Sequence, residues 1–344
     1  MATLQDVANK AGVSTSTVSR ILHGKGKFTS AVQKNVHQAI KELNYQPNSN
    51  AQALASNKVA LVGIITPNIA APFYGRVASG GAATAREHQY KTLIANSFRD
   101  AEDELNAIYS FVAQGCRNII LHSMTLSDEK LIELARQIKG LVILGRYVEK
   151  IANRCVWIDN VKASKLAAEY ILQKGHKKVA VLSYAQTQCD PSQRLTGAKL
   201  AFMEAGLEIP EDLIIFNDGQ VADGRLSVQK LLDNKAEFTA IIAYNDLIAI
   251  GAIKELVKRG IKVPQDVSVI GFDNLFLAEI STPELTSVNY PIEEMSRYAV
   301  ELSIRLTEQP NIHIEQTHLF ISSIVERDST ADVNQNLVAA VVTS

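Results

Sequence analysis

Between Gly12 and Gly24 the chain reads GVSTSTVSRILHG, which places the hydroxyls of Ser14, Thr15, Ser16, Thr17 and Ser19 and the guanidinium of Arg20 within one short stretch. Its only apolar side chains are Val13, Val18, Ile21 and Leu22. Hydroxyl groups donate to phosphate oxygens and accept from base edges, and a guanidinium forks onto the O6/N7 edge of guanine or holds phosphate. The chemistry on offer is therefore recognition of nucleic acid. A second set of polar residues closes apolar runs farther along the chain, in TPN, HS, GR, YND and GFDN. Catalysis is not expected: the sequence has no G-x-x-x-x-G-K-S/T, G-x-S-x-G or H-E-x-x-H motif. Cys116, Cys155 and Cys189 lie far apart, without the spacing of a zinc or redox site. They read as reduced thiols, and neither a metal nor a cofactor is expected.

Charge supports the nucleic-acid reading. Residues 1–60 carry seven basic side chains against Asp6 and Glu42, a surplus of five positive charges. The whole chain has a net charge of −1, so the remainder carries an excess of six negative charges. A basic head on an acidic body is the asymmetry expected when only the head meets a polyanion.

Three short helices fit the head. In TLQDVANKAG, Leu4, Val7, Ala8 and Ala11 share one face, with Thr3 as N-cap and Gly12 as stop. The hydroxyl-rich stretch forms the second helix, capped by Ser14. The third carries Val32, Val36, Ile40 and Leu43 on one face after a cap at Thr29. Two short helices joined by the tight AGVS turn and closed by a third describe a helix-turn-helix module. The second helix of such a module enters the major groove with its N-terminal residues against the bases, which gives the crowded hydroxyls their purpose.

From Val59 onward, β-branched runs alternate with amphipathic segments: VALVGIIT, KTLIAN, RNIILHS, LVILGR, RCVWID, KKVAVLS, DLIIFN, FTAIIAY and VSVIGFD. Near-continuous apolar strands separated by helices indicate parallel sheets covered on both faces. About ten strands exceed one compact doubly wound unit, so two similar subdomains are expected. In such folds ligands sit outside the carboxyl ends of the strands. With 344 residues, 47% apolar and 21% charged, the composition is that of an ordinary soluble protein. The apolar runs fall short of the roughly 18 residues of a spanning helix, and no signal peptide opens the chain, so a cytoplasmic location is expected.

The segments ATLQDVANKAGVSTSTVSRIL and YQPNSNAQALA resemble the DNA-binding head and hinge of the lactose repressor family of bacterial transcription regulators. The similarity continues through GLVILGR, GHKKVAVLS, QRLTGAKLAF, FTAIIAYNDLIAIGA, VPQDVSVIGFDN and PELTSVNYP, and LVILGRYVEKIANRCVWIDN is most similar to the galactose repressor branch. The resemblance implies a helix-turn-helix domain over 1–46, a hinge helix and linker over 47–58, and an effector-binding and dimerisation domain over 59–329. That last domain resembles periplasmic binding proteins, with two doubly wound parallel-sheet subdomains and crossovers near 158, 289 and 318. A frayed tail would occupy 330–344. It further implies base reading by Thr15, Ser16 and Arg20, phosphate or groove contacts by Thr3, Ser14, Ser19 and Asn48, and insertion of Leu54 into the minor groove.

For the effector, the resemblance implies contacts from Phe73, Arg146, Asp190, Arg194, Asn245 and Asp273. Such a set suits a sugar, because charged groups pair with vicinal hydroxyls while an aromatic ring covers the apolar face. Gln188, Tyr290 and His122 are further candidates. Asp246 is expected to cap its helix, whereas Asp273 is expected to face the effector. The implied function is repression of transcription by a homodimer on a palindromic operator, relieved by galactose or a related glycoside. The alternatives are a β-glucoside effector, a corepressor, or a periplasmic-type sugar receptor. The short tail lacks sustained leucines at heptad positions, so no tetramer is expected through it.

Overall fold

The computed structural model describes residues 2–22, 24, 26–45, 60–185, 190–309, 314 and 316–333. The chain divides into two compact units, Met1–Val59 and Ala60–Ser344.

The first unit holds α1 (Leu4–Ala11), α2 (Thr15–Leu22) and α3 (Ser30–Glu42). Thr3 and Asp6 form a reciprocal capping box at the start of α1, and Gly12 ends the helix at φ 67°. Ser14 Oγ accepts from the amide of Thr17 at 3.2 Å, which starts α2 one turn later. Val7, Ala8, Val18, Val36 and Ala39 are buried together, with Leu4, Ile21, Leu22, Ile40 and Leu43 packed around them. The salt bridge of Lys10 with Glu42, 2.8 Å, ties α1 to α3. Two expectations need correction. Thr29 precedes α3 but its side chain makes no capping hydrogen bond. Val32 is only half-buried and stands outside the core, whose inner turn is filled by Ala39.

The second unit begins with β1 (Leu61–Thr66), α4 (Pro72–Glu87), β2 (Lys91–Asn96), α5 (Ala101–Ala113), β3 (Asn118–Leu121), α6 (Asp128–Gln137), β4 (Gly140–Leu144) and β5 (Cys155–Ile158). It continues with α7 (Asn160–Gln173), β6 (Val179–Tyr184), α8 (Asp190–Glu204), β7 (Ile214–Asn217), α9 (Val221–Asp233), β8 (Ala240–Ala243), α10 (Asp246–Lys258) and β9 (Ser268–Asp273). It closes with α11 (Phe276–Ile280), β10 (Thr286–Asn289), α12 (Ile292–Glu308), β11 (His318–Phe320) and β12 (Ser323–Val325). Two six-stranded sheets result, ordered β11-β5-β4-β3-β1-β2 and β12-β10-β9-β8-β6-β7. Every pairing is parallel except β10 with β12, which is antiparallel.

Alternation along each strand explains the covered faces. Val62 and Ile64 turn to the cluster containing Val77 and Ala85 of α4 and Val300 of α12, while Ile65 turns to Ile108 and Phe111 of α5 and Leu131 of α6. In the second sheet Val179 and Val181 pack with Ala167 of α7 and Phe202 of α8, and Ala180 and Leu182 with Val228 of α9 and Ile253 of α10. The nine apolar runs all become strands. Three more, β10, β11 and β12, are three or four residues long and partly polar, so their sequences carried no strand signal. The chain passes between the sheets three times: after β5, between β10 and α12, and between β11 and β12.

Residues 330–333 are not frayed, contrary to expectation. Thr330 Oγ1 lies 3.0 Å from Thr286 Oγ1, the amide of Ala331 donates to Ser268 Oγ at 3.1 Å, and that of Val333 donates to the Lys174 carbonyl at 2.8 Å. Backbone groups with fixed partners hold this segment against the sheet. Residues 334–344 lie outside the described residues.

The backbones of α9 and α10 approach so closely that a Cβ at Gly251 would collide with the Val221 carbonyl, and one at Gly224 with the Ile248 carbonyl. Because backbone cannot step aside, Gly251→Ala is expected to destabilise this unit by about 2 kcal/mol, read as a lower denaturation midpoint. An unchanged midpoint would show that the helices separate freely.

Candidate functional site

The carboxyl ends of the strands of both sheets converge on one open cleft. Phe73 and Tyr74 enter it from the start of α4, Arg99 from the loop after β2, and His122 from the end of β3. From the second sheet come Tyr184 at the end of β6, Asp190 after it, Tyr244 and Asn245 after β8, and Asp273 at the end of β9. Tyr290, following β10, closes the floor and is almost fully buried.

Arg194, one turn into α8, lies at the centre. Its Nε donates to Asn160 Oδ1 at 3.1 Å and its Nη1 donates to the Tyr244 carbonyl at 2.7 Å and to Asp273 Oδ1 at 3.4 Å. Asp190 Oδ2 stands 3.7 Å from Nη2 and accepts from the Tyr244 hydroxyl at 2.9 Å. The guanidinium lies 3.6 Å from the centroid of the Phe272 ring and 4.6 Å from that of Tyr244. A buried charge needs this density of partners. Burial holds the Asp273 carboxyl far above the ordinary range, with Arg194 pulling the other way. Asp273 also sits at φ 102°, a left-handed conformation rare outside glycine and one that clusters at ligand sites.

Phe73 makes edge contacts with Tyr290 at 5.1 Å and with His122 at 6.0 Å between ring centroids, forming an aromatic wall that adjoins the charged cluster, the Tyr290 ring lying 6.0 Å from the Arg194 guanidinium. Burial lowers the pKa of His122, so its ring stays neutral, and Nδ1 has no partner among the described residues.

Of the ligand residues implied by the resemblance, Phe73, Asp190, Arg194, Asn245 and Asp273 meet in the cleft, as do His122 and Tyr290. Arg146 does not: its Nη1 donates to the Leu126 carbonyl at 2.8 Å and its Nη2 pairs with Asp128. The adjoining Gly145, at φ 83°, brings bare backbone toward His122 and Tyr290 where a Cβ would crowd both. Asn245 borders the cleft, but its Oδ1 caps α10 through the Ile248 amide at 2.9 Å and its Nδ2 donates to the Gly219 carbonyl at 3.2 Å. Asn245, not Asp246, is therefore the helix cap. Asp246 is fully buried and accepts from the Leu275 amide and the Ser287 hydroxyl, each at 2.6 Å, fixing the loop that follows Asp273. Gln188 lies outside the described residues. Arg99 and Tyr184 went unread, although SFRD and SYAQ stand at strand ends in the same way as YND and GFDN.

In the head, Ser16 and Arg20 are exposed on α2, and Thr15 and Ser19 are half-exposed. Ser14 Oγ lies 2.8 Å from Ser16 Oγ and 2.9 Å from Thr17 Oγ1. Thr3 is committed to its cap, its Oγ1 donating to Asp6 Oδ2 at 2.8 Å. Asn48 and Leu54 lie outside the described residues. Among the described residues no helix is long and apolar enough to cross a membrane, and no cluster has the makings of a metal site.

Residues 3–48 match the family described as bacterial regulatory proteins, lacI family, and residues 168–330 match a periplasmic binding protein-like domain. The chain is 36% identical over 331 residues to the HTH-type transcriptional regulator GalS of Salmonella typhimurium, covering 96% of this chain and 97% of that one. This chain belongs to the lacI family. It is a helix-turn-helix transcription regulator with a binding-protein-like body. Among solved structures, the regulator is similar to the transcriptional regulator CelR in complex with cellobiose, at 28% identity, a TM-score of 0.70, and coverage of 96% and 100%. It shares its fold with the lac repressor dimer bound to operator and the anti-inducer ONPF, at a TM-score of 0.85, 23% identity, and coverage of 96% and 99%.

Proposed function

We propose that the regulator is a cytoplasmic, dimeric repressor whose grip on a palindromic operator is released by a small sugar held in the cleft, with galactose or a related glycoside as inducer. The observation that carries this reading is the pairing of Arg194, Asp190 and Asp273 with the aromatic wall of Phe73 and Tyr290. Alternating donors and acceptors suit vicinal hydroxyls, and rings suit the apolar face of a pyranose. The similarity to GalS supports the branch, and the cellobiose complex of CelR supports a sugar as the class of ligand. A sugar that prefers one arrangement of the two sheets shifts the population toward it. In the head, Thr15, Ser16 and Arg20 read bases while Ser14, Ser19 and Asn48 make phosphate or groove contacts; the Thr3 hydroxyl stays with its cap. Because one head reads only a half-site, two are needed.

The test is binding of the full-length regulator to its promoter DNA, titrated with galactose, β-galactosides and β-glucosides. Release by one of them is expected. Tightening instead of release would make the sugar a corepressor, and no salt-sensitive, site-selective binding at all would end the reading. Leu54→Ala is expected to weaken operator binding at least ten-fold and nonspecific binding little, as removal of a minor-groove wedge should. Equal affinity of variant and parent for operator would refute that role.

A further inference from the structure

Arg99 is the second guanidinium of the cleft, and its circumstances are the reverse of those of Arg194. Its Nε is buried and has no hydrogen-bond partner among the described residues, and none of the ion pairs among those residues includes it. Its guanidinium carbon lies 5.2 Å from the centroid of the Tyr184 ring. Arg99 follows β2 of the first sheet and Tyr184 ends β6 of the second, so the contact spans the cleft. The two cleft carboxylates offer Arg99 nothing: Asp273 and Asp190 both flank Arg194, at 3.4 and 3.7 Å. The cleft's two carboxylates match its two guanidiniums in number, but both stand against Arg194, and among the described residues Arg99 has no ion-pair partner of its own.

We infer that the cleft is built for a sugar bearing an anionic group, a phosphate ester or a carboxylate, recognised by Arg99. The inference rests on the sugar reading above and narrows its ligand class. A neutral hydroxyl could fill the hydrogen bond at Nε but would leave Arg99 without an ion pair. An anionic oxygen does both, through charge-assisted bonds about twice as strong as neutral ones, and a guanidinium matches phosphate or carboxylate in bidentate geometry. His122 adds a second vacancy: only 7% exposed, it has Nδ1 unpartnered on the same cleft. Phe98 and Arg99 both adopt positive φ, 49° and 59°. Two consecutive non-glycine residues held this way cost energy that a ligand-gripping loop commonly bears.

The experiment is calorimetric titration of the full-length regulator with D-galactose and D-glucose, their 6-phosphates, their uronates, and inorganic phosphate. At least one anionic sugar is expected to bind ten-fold or more tightly than its neutral parent. Whether the phosphates or the uronates show the gain identifies the anion. In R99Q that advantage is expected to fall at least ten-fold, and R99K is expected to keep part of it. Neutral sugars binding as well as charged ones, inorganic phosphate binding as well as a sugar phosphate, or R99Q weakening neutral and charged sugars alike would each overturn the inference. If neutral sugars bind and release the operator, the sugar reading survives that failure. If none of the sugars binds, both fall together.

Discussion

Arg194→Ala is expected to abolish the response of operator binding to sugar, lowering sugar affinity about a hundred-fold or more. That is about 2.8 kcal/mol at 1.4 kcal/mol per ten-fold, within the range for truncating one partner of a buried, hydrogen-bonded charge pair. The side chain serves Asn160, the Tyr244 carbonyl, Asp273 and Asp190 at once, so its loss leaves both carboxylates without their shared cation. Arg194→Lys keeps the charge but not the fork, and an intermediate loss is expected. The measurement is an operator gel shift titrated with the inducing sugar, alongside thermal melting to establish that each variant folds. A fall in sugar-free operator affinity equal to the fall in sugar response would refute the assignment.

Asp246 governs the second large effect, on stability. Burial raises its pKa from 3.8 to about 7 despite hydrogen bonds from Ser287 and Leu275. The folded state binds the proton more tightly than the unfolded chain, so the contribution is fully present below about pH 4. It is lost as pH rises through about 7, and a shift of this size corresponds to about 4 kcal/mol. Asp246→Asn cannot ionise, and its amide can still serve Ser287. The second unit of the variant is therefore expected to lose most of this pH dependence in urea melts between pH 4 and 8. Parallel profiles for variant and parent would show that Asp246 keeps an ordinary pKa.

Strands and core were legible wherever apolar residues ran together. VGIIT and VIGFD announce buried parallel strands, because both faces of each must be covered. HLF and SIV do not: each is three residues at a sheet edge, made a strand by its neighbour and not by its own composition. Caps followed the same rule. Thr3 and Ser14 act through atoms one turn away and can be read locally, whereas the choice between Asn245 and Asp246 depends on Leu275 and Ser287, distant in sequence. At the cleft, strand ends pointed to YND and GFDN, and the same reasoning applied to SFRD would have found Arg99. Arg146 ends a strand too, but its direction is set by Asp128 and the Leu126 carbonyl, which no spacing reveals.

The three passages between the sheets lie side by side. Phe320 pairs with Ile158 on one side of the gap and Asn289 with Ser323 on the other, so the connectors form a single narrow ribbon. Three lengths of chain lying side by side bend together more readily than they slide, so a door-like swing about the ribbon is the motion expected of the two sheets. On that expectation a molecule lodged in the opening would drive the same swing, and small movements near the pivot would become larger ones at the far rim. Such a linkage converts chemically different guests into one mechanical output, so the guest could change over evolution by substitutions at the strand ends while the transmission stayed as it is.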